Sequence, residues 1–231
     1  MTRTRPTRLV ALLAIPILIA ACSSSVAKPS AAVSDVKAPT PAPATAAPGD
    51  VSGCPTSQPA ALAAGQTRTV TLQTDKGAIA ITIHADWSPI AAGNFVALAS
   101  CGYYDGVVFH RVVPGFVIQG GDGQYGRSPN LNASMMGRGG PSYTIKDEPV
   151  TQPYHRATVA MARTSQPNSV DSQFFIVLDD GAQAALASVN TYQIIGEVTS
   201  GMDAVDKIAA AADAETPTNP VAMTKVTVAN P

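Results

Sequence analysis

Along Thr69-Val-Thr-Leu-Gln-Thr74 and Ala78-Ile-Ala-Ile-Thr-Ile-His84, apolar side chains recur at every second position. A period of two places them on one face of an extended strand, and Asp75-Lys76-Gly77 between them suits a tight reversal, so this pair predicts a β-hairpin. Val107–Val113 and Phe116–Gln119 predict two more strands around Pro114-Gly115, a dipeptide made for a turn. Short apolar runs at 158–163, 173–178, 193–198 and 225–229 predict four others. Two helices break the pattern. One opens at Ser88-Pro89, an N-cap followed by proline at the first helical position, and runs to about Ser100. The other covers about Met202 to Ala211, with Val205 and Ile208 on one face. The expected domain, 67–231, is mainly β: a closed eight-stranded antiparallel barrel, which leaves no unpaired edge, capped by two α-helices.

The first 66 residues lack this patterning. Arg3, Arg5 and Arg8 precede an apolar stretch from Leu9 to Ala21 that only Pro16 interrupts. That is the layout of a secretory signal, and it is short for a membrane span. Ile19-Ala20-Ala21-Cys22, followed by three serines, resembles the bacterial lipobox. Residues 1–21 are therefore expected to be a signal peptide and Cys22 to carry a lipid, anchoring the chain at the extracytoplasmic face of a bacterial membrane. The alternative is an ordinary cleavage site with an incidental cysteine. Residues 22–66 are rich in Ala and Pro, and the prolines at 29, 39, 41, 43, 48, 55 and 59 interrupt any helix. No aromatic residue is there to seed a core, so the stretch is expected to be a flexible tether.

Composition narrows the chemistry. Apolar residues make up 45% of the 231 and charged ones 13%, with 15 basic and 16 acidic side chains. Cleavage before Cys22 removes three arginines and no acid, leaving the chain four charges negative. Without a basic block it has no evident nucleic-acid partner and no electrostatic hold on anionic lipid. Beyond Cys22 only Cys54 and Cys101 remain. Export permits a disulfide between them, which would close a loop of 47 residues and contribute roughly 4 kcal/mol. Two unpaired thiols are the alternative.

Several superficial motifs carry nothing. Gly121-Asp-Gly-Gln-Tyr-Gly126 fits G-x-G-x-x-G, but the prolines and glycines from Pro129 to Pro141 rule out the helix a dinucleotide site needs. His84, His110 and His155 have no metal-ligand spacing, and there is no G-x-S-x-G elbow. No metal or cofactor is expected.

The stretch Phe109-His-Arg-Val-Val-Pro-Gly-Phe-Val-Ile-Gln-Gly-Gly-Asp122 sets a fixed cation, an aromatic ring and an amide within a few residues. Ser172-Gln-Phe-Phe-Ile-Val177 adds a second amide and two aromatics. A cation, two amides and aromatic walls, with no general base, suit holding an apolar ring and the carbonyls beside it. In order and wording these two stretches resemble the signatures of cyclophilin-type peptidyl-prolyl cis/trans isomerases, and Met161-Ala-Arg163 and Ile195-Gly-Glu-Val-Thr-Ser-Gly-Met202 fit the same family. The resemblance implies catalytic roles for Arg111, Phe116 and Gln119, the last binding substrate and helping to orient the arginine. It implies substrate binding by Val117, Ala162, Arg163, Gln173, Phe175 and Tyr192. It further implies isomerisation of X–Pro bonds; with the export expected from the N-terminus, the clients are expected to be exported or envelope polypeptides, and the protein a monomer. Two departures stand out: Arg163 where asparagine is common, and no tryptophan between Leu178 and Thr191. A proline-peptide binding module, or an envelope chaperone with little turnover, is the other reading.

Overall fold

The computed structural model describes residues 49–229; the expected signal peptide, Cys22 and most of the expected tether lie outside them. The chain runs β1 (Thr67–Thr74), β2 (Gly77–His84), α1 (Pro89–Ser100), β3 (Arg111–Val113), β4 (Val117–Gly120), β5 (Thr158–Met161), β6 (Phe174–Val177), α2 (Gln183–Val189), β7 (Ile194–Ser200), α3 (Met202–Ala211) and β8 (Lys225–Ala229). All strand pairs are antiparallel, in the order β3-β4-β6-β5-β7-β2-β1-β8. The hairpin alternates as its sequence predicts, with Val70, Leu72, Ile79, Ile81 and Ile83 fully buried.

Two expectations need correction. The sheet is not a closed barrel: its outer strands, β3 and β8, do not pair. Pairing stops because β3 is three residues long and the segment before it turns to another partner. Phe109 N donates to Val221 O and Met223 N to Val107 O, each at 2.9 Å, so loop segments bridge the gap. Among the described residues there are also three α-helices rather than two. Residues 183–189 form α2, led in by Asp179, whose side chain accepts the Gly181 N–H, and stopped by Asn190 in the left-handed region.

The N-terminus of α1 is capped from afar. Ser88 sits at the N-cap position but makes no side-chain cap bond. The Glu148 carboxylate accepts Ile90 N and Ala91 N instead, each at 2.9 Å, and so sets a negative charge at the positive end of the helix.

Strands β4, β5 and β6 are buried on both faces. Ile118, Phe174, Ile176, Val159 and Met161 join the main core with α1 and α3. Val117, Phe175, Val177 and Ala160 point the other way, into a smaller cluster under Leu186 of α2. That two-sided burial is why Phe174–Val177 reads as an unbroken apolar run. The smaller cluster carries the site.

Residues 49–66, assigned by the sequence to the tether, lie along the domain. Leu62 N donates to Pro89 O, Asp50 accepts Ser142 N, and Gln58 accepts Lys146 N. At Gly93 of α1 a Cβ would stand 2.3 Å from Ala60 O, so only glycine lets this strap lie so close. Cys54 and Cys101 form a disulfide that ties the strap to the end of α1.

Candidate active site

The strand register builds the site as a row across the sheet. Arg111 stands opposite Gln119, Gln119 opposite Phe175, Phe175 opposite Ala160, and Ala160 opposite Ile194. One end of the row is polar and the other apolar, and all its members face away from the main core. Phe116, at the turn before β4, and Val117 extend the apolar part.

Over this row lies a cleft of about 180 Å³. Of the nine residues expected at the site, eight line it: Arg111, Phe116, Val117, Gln119, Ala162, Arg163, Phe175 and Tyr192. The ninth, Gln173, lines an adjoining depression together with Gln119, Ala162 and Arg163. Tyr192 meets Phe175 edge-on at 5.3 Å between ring centroids, and its carbonyl is held by the Tyr154 hydroxyl at 2.9 Å. Burial pushes the Tyr154 phenol up to about 12, so it stays a hydroxyl donor at neutral pH.

The amides form a relay. Gln119 Nε2 donates to Gln173 Oε1 at 3.0 Å, and Gln173 Nε2 donates to the carbonyls of Gly137 and Gly139 at 3.2 and 3.0 Å. Those glycines are fixed by Asp122, a fully buried carboxylate. It accepts four backbone N–H groups, from Gln124, Tyr125, Gly137 and Gly139. Loop 123–139 is thus organised around one side chain and reaches the site through Gln173. Gly121 allows this, since its φ of +99° suits glycine and a Cβ there would lie 2.5 Å from Ser172 O.

The two arginines are tied differently. Arg163 is held by Asp147 at 3.0 Å and by the carbonyls of Thr164 and Gln166, so its side chain is a fixed wall between the two depressions. Arg111 is half-exposed, and its Nε donates to Glu215 at 2.7 Å. Among the described residues no hydrogen bond joins Gln119 to Arg111; the Arg111 Nε–H goes to Glu215.

Sequence reasoning missed Ala185, Leu186 and Val189, which close the cleft from α2, and it missed Glu215. The helix had a legible signal in Ala184, Ala185, Leu186 and Ala187, all strong helix formers. Glu215 had none, since it lies 104 residues from Arg111.

Behind the site, burial pushes the Asp171 carboxyl up to about 6, against the Ser172 and Gln173 N–H groups that favour its ionised form. A folded-state value above the ordinary one means that the folded protein binds the extra proton between about pH 4 and pH 6. This group's contribution is therefore most favourable below pH 4 and is lost as the pH rises through 6. Asp171→Asn should gain stability relative to wild type as the pH goes from 4 to 7. Chemical denaturation across that range checks it, and a constant difference between the two proteins would refute it.

Among the described residues lining the cleft there is no carboxylate, imidazole or thiol. A guanidinium beside an apolar hollow can bind and polarise a neutral ligand that places an apolar group in the hollow. The cyclophilin type peptidyl-prolyl cis-trans isomerase family matches residues 69–228. The chain is 41% identical over 157 residues to a probable peptidyl-prolyl cis-trans isomerase of Brucella abortus, covering 67% of this chain and 78% of that one. It is 39% identical over 142 residues to a peptidyl-prolyl cis-trans isomerase of Acinetobacter baylyi, covering 61% and 71%. A crystal structure of a Cryptosporidium parvum cyclophilin type isomerase superposes with a TM-score of 0.60 at 26% identity, covering 71% of this chain and 99% of that one. The chain belongs to the cyclophilin-type peptidyl-prolyl cis-trans isomerases, and its activity is the isomerisation of X–Pro peptide bonds.

Proposed function

We propose that Arg111, Phe116 and Gln119 carry the reaction on proline-containing polypeptides outside the cytoplasm. The observation behind this reading is the row from Arg111 to Ala160, which sets a fixed cation at the rim of an apolar hollow. Phe116, Val117, Phe175 and Leu186 offer apolar walls to a pyrrolidine ring, and Gln119 and Gln173 offer amides to the flanking carbonyls. The Cryptosporidium isomerase was also crystallised in the presence of the dipeptide Ala-Pro, and its likeness to this chain, with a TM-score of 0.59, supports a proline ring in this hollow.

Little chemistry is needed. Rotation about an X–Pro bond faces a barrier of about 18–20 kcal/mol because the amide is conjugated. In the twisted transition state the nitrogen lone pair leaves conjugation and becomes a better hydrogen-bond acceptor. A guanidinium aimed at that nitrogen stabilises the twisted amide more than the planar one, and that difference is the catalysis. Arginine suits the role because it stays charged at any working pH. The apolar pocket holds the ring while the preceding residue turns.

The likeness of Ile19–Cys22 to a lipobox supports a lipid on Cys22 and a place on the extracytoplasmic face of the membrane, where the clients would be exported or envelope proteins. Two measurements test the whole reading. The wild-type protein should accelerate cis-to-trans conversion of an Ala-Pro test peptide, and no acceleration by folded protein would leave a peptide-binding module. In bacterial cells the wild type should fractionate with membranes and Cys22→Ser should not; equal fractionation of both would remove the lipid from the account.

A further inference from the structure

Beyond α3 the chain turns at Ala212, whose backbone is extended, into the loop that leads to β8. Asp213 closes this loop by accepting Thr218 N at 2.9 Å. Pro217, buried, and Pro220 restrict its backbone further. The loop presents Glu215 to β3 twice. Its carbonyl accepts Val112 N at 2.8 Å, and its carboxylate accepts Arg111 Nε at 2.7 Å. One residue thus engages two successive positions of the strand, by main chain at one and by side chain at the other.

We propose that Glu215 is a positioning residue for the isomerase reaction, holding Arg111 by Nε so that its terminal amino groups stay turned toward the cleft. The inference rests on the reading of Arg111 as the catalytic cation. Three observations carry it. The Arg111 side chain is 39% exposed, so packing alone does not fix its rotamer, and a free arginine side chain has considerable rotamer entropy to lose on reaching one reactive pose. Gln119, its partner across the strand pair, bonds to Gln173, and among the described residues no hydrogen bond joins it to Arg111, whose Nε goes to Glu215. Finally, the guanidinium is a rigid plane, so fixing Nε on one edge also fixes where the terminal nitrogens point. The backbone bond to Val112 anchors the holder itself, so the carboxylate is preorganised rather than drawn in by the arginine.

Glu215 is itself mostly exposed, and an exposed pair contributes little to folding, so removing it should leave the fold intact. In wild type, Glu215→Ala should lower kcat/KM about fivefold, a loss of the size expected for an exposed ion pair. The loss should fall in kcat, with KM little changed. Glu215→Gln, which keeps an acceptor oxygen, should recover about half of the activity. Raising the salt to ~1 M, where screening is nearly complete, should slow the wild type toward the Glu215→Ala rate and leave that variant unchanged. The deciding comparison uses Arg111→Met, which keeps the stem but has no Nε–H. Glu215→Ala should add nothing to that variant's residual rate, read by exchange spectroscopy at high protein concentration. An unchanged Glu215→Ala rate beside an impaired Arg111→Ala would overturn this inference and leave the site reading standing. A fivefold loss in both backgrounds would make Glu215 merely structural and overturn it too. An unimpaired Arg111→Ala would overturn both.

Discussion

Arg111→Ala should lower kcat/KM on an Ala-Pro peptide about a hundredfold or more while peptide affinity changes little. Removing one preorganised donor from a developing charge typically costs about 2–4 kcal/mol of transition-state stabilisation. The apolar hollow that holds the ring is built by Phe116, Val117, Phe175 and Leu186, none of which the substitution touches. Ground-state binding should therefore persist, and the loss should lie in turnover, as differential binding requires. Arg111→Lys restores the charge without the planar fork and should fall between the two. The half-exposed side chain can go without opening a cavity in the core, so melting should be near wild type. Rates by a protease-free assay and affinity by titration settle it. Equal loss in affinity and rate would make Arg111 a binding residue, and no loss would move the catalytic role elsewhere in the cleft.

Asp122→Ala should be the most destabilising single change at the site, by about 3–5 kcal/mol, on the scale of breaking a buried charged network. Four backbone N–H groups converge on this carboxylate, and its loss leaves them without that acceptor while loop 123–139 stays in place. Each orphaned buried donor costs about 1–3 kcal/mol, and partial release of the loop to solvent keeps the total below their sum. A loss of that size lowers the melting temperature of a domain of this length by about 10–15 °C. Asp122→Asn should recover only part of it, because its NH₂ group would face two N–H donors. Activity should fall as well, since Gly137 and Gly139 hold Gln173, which holds Gln119. Calorimetry together with limited proteolysis of the loop provides the check; a shift of less than about 3 °C would show that the four bonds are not maintained in solution.

What the sequence made legible follows from the range of each signal. Period-two alternation is local, so the β1–β2 hairpin could be read residue by residue, and each of its buried positions was visible in advance. The row from Arg111 to Phe175 could be read because its members lie in two contiguous stretches with strong family likeness. Closure could not. Eight strands are compatible with an open or a closed sheet, and what opens this one is the shortness of β3 and the turn of its lead-in segment toward Val221. The capping of α1 misled because Ser88 has the right chemistry locally, while the carboxylate that does the work lies about 60 residues on, at Glu148. The strap at 49–66 looked like tether because its composition is that of a tether. What fixes it is a set of contacts with 89–146 and a covalent bond, none of which composition encodes. Arg163 was expected at the substrate strand and does line the cleft. Its capture by Asp147 depends on a loop that the strand pattern does not describe.

The disulfide also decides how mechanical load would travel. A pull arriving at Gly49 passes from Cys54 straight to Cys101, so the covalent line of tension bypasses residues 55–100. Both strands of the first hairpin and the whole of α1 lie inside that bypass. Tension that would otherwise peel β1 from β8 enters instead beyond the end of α1, with the hairpin left slack.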